Sequence, residues 1–403
     1  MNRAFNTKTR SQLDEARILF ESTYDKQKRY LAVHAPGRSE IAGNHTDHEG
    51  GHVIAGALDV AINAICAPNN LSVIRVTSKG YESFEIDFSN LDPHEEEFCT
   101  TQSIIRGMAA NLSKLGFIPA GFDIAVISDV PGGGGLSSSA AFEAAVGRAM
   151  ESLWTGGSPI SAVKLAQICQ NTENVYFGKP CGLMDQLAVC LGGLAFMNFE
   201  DTSKPQTEKL DLNFEDFGYG LCLVDVGCDH VAFTDEYAAV PQEMQKVAQA
   251  FGKTRLCEVS DEEFQNRVVE LRKTLGDRAL LRAIHYWHEN KLVDQRWSSL
   301  QDKDINSFIA YTNTSGASSG MYLQNVSTSG SYQPAMLALG LAETILKGRG
   351  AVRIHGGGFG GSIQCFVPLD LIDTFITHMN QWFGKGACRH YAISDQGACA
   401  IWL

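Results

Sequence analysis

Pro131-Gly132-Gly133-Gly134-Gly135-Leu136-Ser137-Ser138-Ser139-Ala140 is the stretch on which the reading of this chain turns. Residues 122–127 before it alternate as a strand does, and residues 139–153 after it are rich in helix formers. Consecutive glycines at such a junction leave backbone N–H groups open to an anion, with no Cβ atoms in the way. The following helix N-terminus contributes the positive end of its dipole, and the serine hydroxyls can donate to phosphate or ligate a divalent ion. A flexible Gly/Ser linker rarely sits between two regular elements, so the pattern predicts an anion-binding loop. It is not a Walker loop: Gly252-Lys253-Thr254 copies the end of that motif, but Val247 stands where its first glycine belongs. Nor does a Gly-x-Gly-x-x-Gly follow a first strand, as a dinucleotide fold requires.

Working outward, Ser11 is a candidate cap for a helix with the apolar stripe Leu13, Ala16, Phe20 and Tyr24. Strands are expected at 31–34 (broken by Ala35-Pro36-Gly37), 53–65, 71–76 and 84–88, and helices at 101–115 and 161–175. The second half predicts a strand at 219–226 and helices at about 235–251, 261–274, 277–290 and 303–312. The Ser/Thr/Asn/Gly-rich stretch 313–332 predicts an ordered loop near a ligand or a flexible connection, and a helix follows at 334–347. Strands at 351–355 and 362–367, a helix at 370–383 and strands at 388–393 and 397–402 complete the expectation. The class is α+β (mixed α/β), with two lobes, 1–205 and 206–403, divided in the polar stretch 200–210.

Bulk properties narrow the function. The 403 residues carry a net charge of -13 and no Lys/Arg cluster, which argues against nucleic acid as a partner. No apolar run approaches the length of a membrane span, and the start, MNRAFNTKTRSQLDEARILF, has no signal core. Eleven cysteines without a C-x-x-C pair suit reduced thiols in the cytoplasm, not a disulfide framework or a zinc ribbon. The expected partners are therefore small molecules, taken up by a monomer.

Three more segments carry chemistry. Gly37-Arg38-Ser39-Glu40-Ile41-Ala42-Gly43-Asn44-His45-Thr46-Asp47-His48-Glu49-Gly50-Gly51 is dense in donors and acceptors suited to a polyhydroxyl ligand, and Arg38 suits phosphate or carboxylate. The spacing of His45, His48 and His52 leaves a metal site as a rival reading, and a surface turn is another. Further on, Asp185 before Leu187-Ala188-Val189 is a candidate general base and Glu173 a candidate metal ligand, although each alone reads more simply as a capping or solvated carboxylate. Finally, His355-Gly356-Gly357-Gly358-Phe359-Gly360-Gly361 predicts either a tight turn or a backbone brought close to a ligand.

Taken in order, GRSEIAGNHTDHEGG (37–51), PGGGGLSSSA (131–140), ENVYFGKPCGLMDQ (173–186) and RIHGGGFGG (353–361) resemble the motifs of the GHMP small-molecule kinases, and within them the galactokinases. Asp235-Glu236-Tyr237 and Arg282-Ala283-Ile284-His285 resemble two further family segments, so the resemblance spans residues 31–367. It implies an N-terminal lobe like ribosomal protein S5 and a ferredoxin-like C-terminal lobe. It also implies transfer of the γ-phosphoryl group of ATP, with Mg²⁺, to the anomeric hydroxyl of galactose. Asp185 would be the base, or the anion that orients the acceptor hydroxyl, and Arg38 would neutralise charge on the transferring group. Gly132, Gly133, Gly134, Gly135, Leu136, Ser137, Ser138 and Ser139 would cradle ATP, and Ser139 with Glu173 would hold the metal. Asn44 (where the family usually has Glu), His45, Asp47, Gly182 and Tyr237 would contact the sugar. Still open are a kinase for N-acetylgalactosamine, a uronic acid or arabinose, and a non-catalytic galactose/ATP sensor.

Overall fold

A computed structural model describes residues 5–132, 135–227, 234–327 and 330–403. The chain forms two compact units. One comprises Met1–Arg38, Ala57–Gly193 and Ser394–Leu403, the other Ser39–Gly56 and Leu194–Ile393. The division thus falls after Arg38, Gly56, Gly193 and Ile393, not at one cut near residue 205. Two long strands carry the chain across the first two boundaries, and the C-terminal strand pairs back with the first strand of the chain.

In the first unit, α1 (Thr7–Thr23) leads to β1 (Leu31–Ala42), β2 (His52–Pro68), β3 (Val73–Ser78) and β4 (Phe84–Asp87). Then come α2 (Thr101–Lys114), β5 (Phe122–Ser128), α3 (Ser138–Leu153), α4 (Ala162–Thr172) and α5 (Met184–Leu191). The C-terminal strand, Cys399–Trp402, runs antiparallel to β1, followed in order by β2, β5, β3 and β4. β5 is antiparallel to β2 and parallel to β3, so its C-terminal end feeds the glycine loop directly. α1 is capped by Asn6, whose Oδ1 accepts from the Thr9 N–H at 2.8 Å, so the helix starts earlier than the Ser11 cap expected. Its stripe of Leu13, Ala16 and Phe20 is buried against Tyr30, Ala32, Ile65 and Ile127. Burying a Leu or Phe is worth roughly 1.5–3 kcal/mol each. β1 continues through the break expected at Pro36 because its pairing with the C-terminal strand ends at His34. On that side proline removes no ladder bond.

The second unit holds β6 (Leu194–Asn198), which pairs with the start of β2, and β7 (Gln206–Leu210), which pairs with β6. β8 (Tyr219–Asp225) is followed by α6 (Thr234–Ala250), α7 (Asp261–Leu275), α8 (Asp277–Gln301), α9 (Ile305–Ser318) and α10 (Pro334–Leu346). β9 (Ala351–His355), β10 (Ser362–Pro368), α11 (Ile372–Phe383) and β11 (Cys388–Tyr391) close the unit, with antiparallel order β11-β8-β10-β9. α10 and α11 bury Ala338, Ala342, Phe375 and Met379 on this sheet. Among the described residues no helix is long and apolar enough to cross a membrane.

The segment expected as a loop at 313–332 is helical over its first half, 313–323. α9 runs to Ser318 and passes into a π-helical turn, Ser319–Leu323, which ends at a left-handed Gln324. In this segment Thr312 Oγ1 donates back to Phe308 O at 2.7 Å and Thr314 Oγ1 to Ala310 O at 3.1 Å, while Ser315, Ser318 and Ser319 bond across to Glu289, His285 and Asn44. Its small residues allow close packing, since a Cβ on Gly316 would lie 2.7 Å from Val352 O. Part of the polar composition thus reflects packing, since Ser315, Ser318, Ser319 and Asn325 are buried while Asn313 and Thr314 are exposed.

A charged network is buried in this unit. Arg353 donates to Glu40 and, at 3.0 Å, to Ile41 O; both Arg353 and Arg296 are fully buried. Glu289 Oε1 accepts from the Gly43 N–H at 3.1 Å and from Ser315 Oγ at 2.9 Å. Burial, with the charge of Arg353, pushes Arg296 down to about 9. Glu40→Gln is expected to cost roughly 3–5 kcal/mol, the range for leaving one buried charge unpaired. Urea unfolding checks it, and a change below about 1 kcal/mol, the surface-pair range, would contradict it.

Candidate functional site

In the first unit the sequence candidates converge. Arg38, on β1, donates from Nε to Asp185 Oδ1 at 2.8 Å and from Nη2 to Asp185 Oδ2 at 2.6 Å. Its Nη1 donates to Gly135 O, and its backbone N–H to Leu136 O at 3.1 Å. Asp185 lies in the first turn of α5, 147 residues away in sequence, and also accepts from Ser137 Oγ. The Arg38 side chain is 8% exposed and that of Asp185 29%, so the carboxylate keeps an open face. Burial by itself would raise Asp185, but the Arg38 charge and hydrogen bonds, with Ser137 and Lys179, hold it below the ordinary carboxylate value.

Beside this pair, Ser139 Oγ in the first turn of α3 donates to Glu173 Oε1 at 3.1 Å. Glu173 opens a π-helical turn, Glu173–Phe177, that follows α4. Gln186 Nε2 donates to Glu173 Oε2 at 2.6 Å, and Lys179 Nζ is 3.6 Å from Oε1. Behind them Glu143 is fully buried, and burial followed by the charge of Glu173 raises it well above the usual carboxylate range. A hydroxyl and a carboxylate side by side, with helix N-terminal amides adjacent, form a donor set for a hard divalent cation bearing phosphate. Gly132 and Gly135 are exposed, Ser138 begins α3 and Gly182 precedes α5, while Gly133 and Gly134 lie outside the described residues.

In the second unit, the segment after β1 folds into a braced turn. Thr46 Oγ1 lies 2.6 Å from His52 O and 2.9 Å from Gly43 O, with its one proton shared between these two carbonyls, and Asp47 begins a short 3-10 turn. Asn44, expected to face a sugar hydroxyl, is fully buried. Its Nδ2 donates to Gly356 O, and its Oδ1 accepts from Asn325 Nδ2 at 2.7 Å and Ser319 Oγ at 3.3 Å. His285 Nε2 donates to Asn44 O at 3.0 Å. His45 Nε2 donates to Gly357 O at 2.9 Å, which leaves Nδ1 to accept from His48 Nε2 at 3.2 Å. Burial, then His48, lowers His45 to about 3, so its ring is neutral. Tyr237 is half-exposed; its ring packs 5.5 Å from that of His45 and so close to Gly357 that a Cβ there would lie 2.0 Å from Tyr237 Cε2. A side chain at 357 would therefore have to push the Tyr237 ring aside.

The three histidines do not gather as metal ligands. His52 Nδ1 pairs with Asp294 at 2.7 Å, and among the described residues no group of three or more His, Cys, Asp and Glu is placed to hold a metal ion. Sequence reasoning missed Gln186, Ser319 and Asn325. Gln186 adjoins Asp185, and Ser319 and Asn325 lie within the polar stretch 313–332, where nothing local sets them apart from their neighbours.

Two family models match the chain: the GHMP kinases N terminal domain over residues 103–193 and the galactokinase galactose-binding signature over residues 18–68. The galactokinase of Glaesserella parasuis serovar 5 (strain SH0165) is 32% identical over 352 residues, 85% of this chain and 86% of that protein. That of Actinobacillus pleuropneumoniae serotype 3 (strain JL03) is 31% identical over 351 residues, with 85% and 86% covered. The structure of Lactococcus lactis galactokinase complexed with galactose matches with a TM-score of 0.81 at 22% identity, covering 96% of this chain and 98% of that one. A mevalonate kinase matches with a TM-score of 0.64 at 15% identity, covering 91% and 99%. With the mixed α/β fold common to these structures and that level of identity over most of its length, the chain belongs to the galactokinase family of the GHMP kinases.

Proposed function

We propose that this protein transfers the γ-phosphoryl group of ATP to the anomeric hydroxyl of D-galactose, giving galactose 1-phosphate and ADP. The observation that carries the reading is the two-pronged Arg38–Asp185 pair tied to Gly135 and Ser137 of the glycine loop. Phosphoryl transfer asks for positioning and charge stabilisation more than for covalent help. As the bond from the anomeric oxygen to the γ-phosphorus forms and the bond to the β–γ bridging oxygen breaks, the hydroxyl proton passes to Asp185. Arg38, fixed by its contacts to Asp185 and the loop, offsets the negative charge on the transferring group. The loop 132–139 is assigned to the phosphates through its backbone N–H groups. Sugar recognition is assigned to the segment 44–47 with Tyr237, where Asn44 acts as a brace, and Gly182 lets the backbone come near the acceptor. The free thiols of the described cysteines suit the reducing cytoplasm, where ATP is supplied.

Ser139 and Glu173 fit Mg²⁺: both offer oxygen, and this ion takes one or two protein ligands and completes its shell with phosphate and water. When bound, it supplies positive charge to the phosphate oxygens. Glu173→Gln is therefore expected to raise the Mg²⁺ concentration for half-maximal rate by about 10–100-fold, the range typical of disturbed metal sites. A Mg²⁺ titration at fixed ATP reads it, and an unchanged midpoint would remove Glu173 from the site.

Coupled ADP release over D-galactose, N-acetylgalactosamine, galacturonate and arabinose tests the function, with phosphorus NMR of the product. Galactose is expected to give the highest kcat/KM and an anomeric phosphate. A better rival sugar would reassign the substrate, and no sugar-dependent ADP release would reject the kinase reading.

A further inference from the structure

We infer that Ser137 is a positioning residue for Asp185, and that its hydroxyl serves the acceptor side of the reaction instead of ligating nucleotide phosphate. The inference rests on the reading of Asp185 as the group facing the acceptor hydroxyl. Ser137 occupies the residue just before α3, where a serine normally turns its oxygen back onto the helix N–H groups. It makes no such cap. Its backbone is left-handed, with φ 56° and ψ 57°, a conformation a non-glycine residue holds only when its surroundings impose it. The hydroxyl swings instead to Asp185 Oδ2 and donates there.

A serine has one hydroxyl proton. Phosphate oxygens at neutral pH need donors, and so does the Asp185 carboxylate, so Ser137 cannot donate to both at once. The neighbouring serine contact shows how the loop divides this work: Ser139 Oγ goes to Glu173, while Gly135 O, Leu136 O and Ser137 Oγ all engage Arg38 or Asp185. Residues 135–137 thus form a ledge beneath the Arg38–Asp185 pair.

The consequence is electrostatic as well as geometric. Asp185 faces Arg38 from β1, Lys179 and Cys181 from the turn after Glu173, and Glu143 from α3. Arg38 and Lys179 favour its ionised form, and so does Ser137; Glu143 lies on the same side with its own ionisation suppressed. Removing the Ser137 hydroxyl takes away one donor to the carboxylate, so Asp185 titrates at higher pH. Because its folded value is depressed, the stability it contributes is present above the unfolded carboxylate value and lost as pH falls through the folded one. The stability gap between parent and Ser137→Ala is therefore widest near neutrality and closes in acid.

The test combines Ser137→Ala and Ser137→Gly, each alone and with Asp185→Asn. Glycine accepts the left-handed backbone, so equal losses in both variants assign the effect to the hydroxyl. Expected are a fall in kcat of about tenfold or more with KM for ATP within about twofold, an acid limb moved to higher pH, and no added loss in the Asp185→Asn background. ATP affinity by calorimetry, which needs neither sugar nor turnover, is expected to stay unchanged, and thermal stability against pH to show the gap closing in acid. ATP binding weakened about tenfold with the acid limb unmoved, or losses that add to those of Asp185→Asn, would overturn the inference and return Ser137 to the phosphates. If the parent turned over no sugar, the proposed function would fall, while calorimetry and the stability profile would still decide the place of Ser137.

Discussion

Asp185→Asn is expected to lower kcat by about 10²–10⁴-fold, the usual cost of a lost general base. That corresponds to roughly 3–5 kcal/mol of barrier. The replacement keeps the shape and still offers one oxygen to Arg38. Its amide cannot take a proton, and its Nδ2 must face Arg38 Nε in one orientation or both Arg38 Nη2 and the Ser137 hydroxyl in the other, all of which donate to Asp185 in the parent. Folding should persist, because the carboxylate retains an open face and is not sealed in the core. ATP affinity should also persist, since the helix N-terminus and the loop amides are untouched. Turnover within about threefold of the parent, far below the range for a lost base, would show that Asp185 neither accepts the proton nor orients the hydroxyl.

Arg38→Lys is the second large effect, with an expected loss in kcat/KM of about 10²–10³-fold, comparable to deleting one preorganised donor from an active site. The charge is retained, so a small effect would mean that charge alone matters. Lysine is a point charge and cannot present the planar fork that reaches Asp185 Oδ1, Asp185 Oδ2 and Gly135 O together. Arg38→Met goes further by removing the main charge that holds Asp185 down. Burial then dominates, Asp185 rises, and the acid limb of the rate profile moves to higher pH. Initial rates for both variants against pH and against each substrate check these outcomes. An acid limb unmoved in Arg38→Met would separate Asp185 from Arg38 electrostatically.

Much of the local architecture was legible in the residues. The strand–glycine–helix junction appears as expected, with β5 ending at Ser128 and α3 starting at Ser138, because turn chemistry and helix propensity act over a few residues. The apolar stripe of α1 is buried at Leu13, Ala16 and Phe20 as its spacing implied, while Tyr24 falls at the C-cap and is only partly buried. The expectations that gave way were those in which a distant partner alters a local preference. Pro36 does not end β1, since the C-terminal strand never pairs that far. The Ser/Thr-rich run after residue 312 stays helical to Leu323, since Ser315, Ser318 and Ser319 find partners in Glu289, His285 and Asn44 and its glycine fits against β9.

The residues by themselves determined the kinds of group available: an anion-binding turn with serines, an arginine, two acidic candidates and a polar segment suited to a polyol. They could not rank those groups, because a lone Asp or Glu in sequence looks like any cap. Tertiary structure adds the placement: it brings Arg38 and Asp185 together across 147 residues, and buries Asn44 among Gly356, Ser319 and Asn325, where it braces a turn. Hydrogen bonds and ion pairs depend on separations of a few ångströms, and only the folded backbone sets those for residues far apart in the chain.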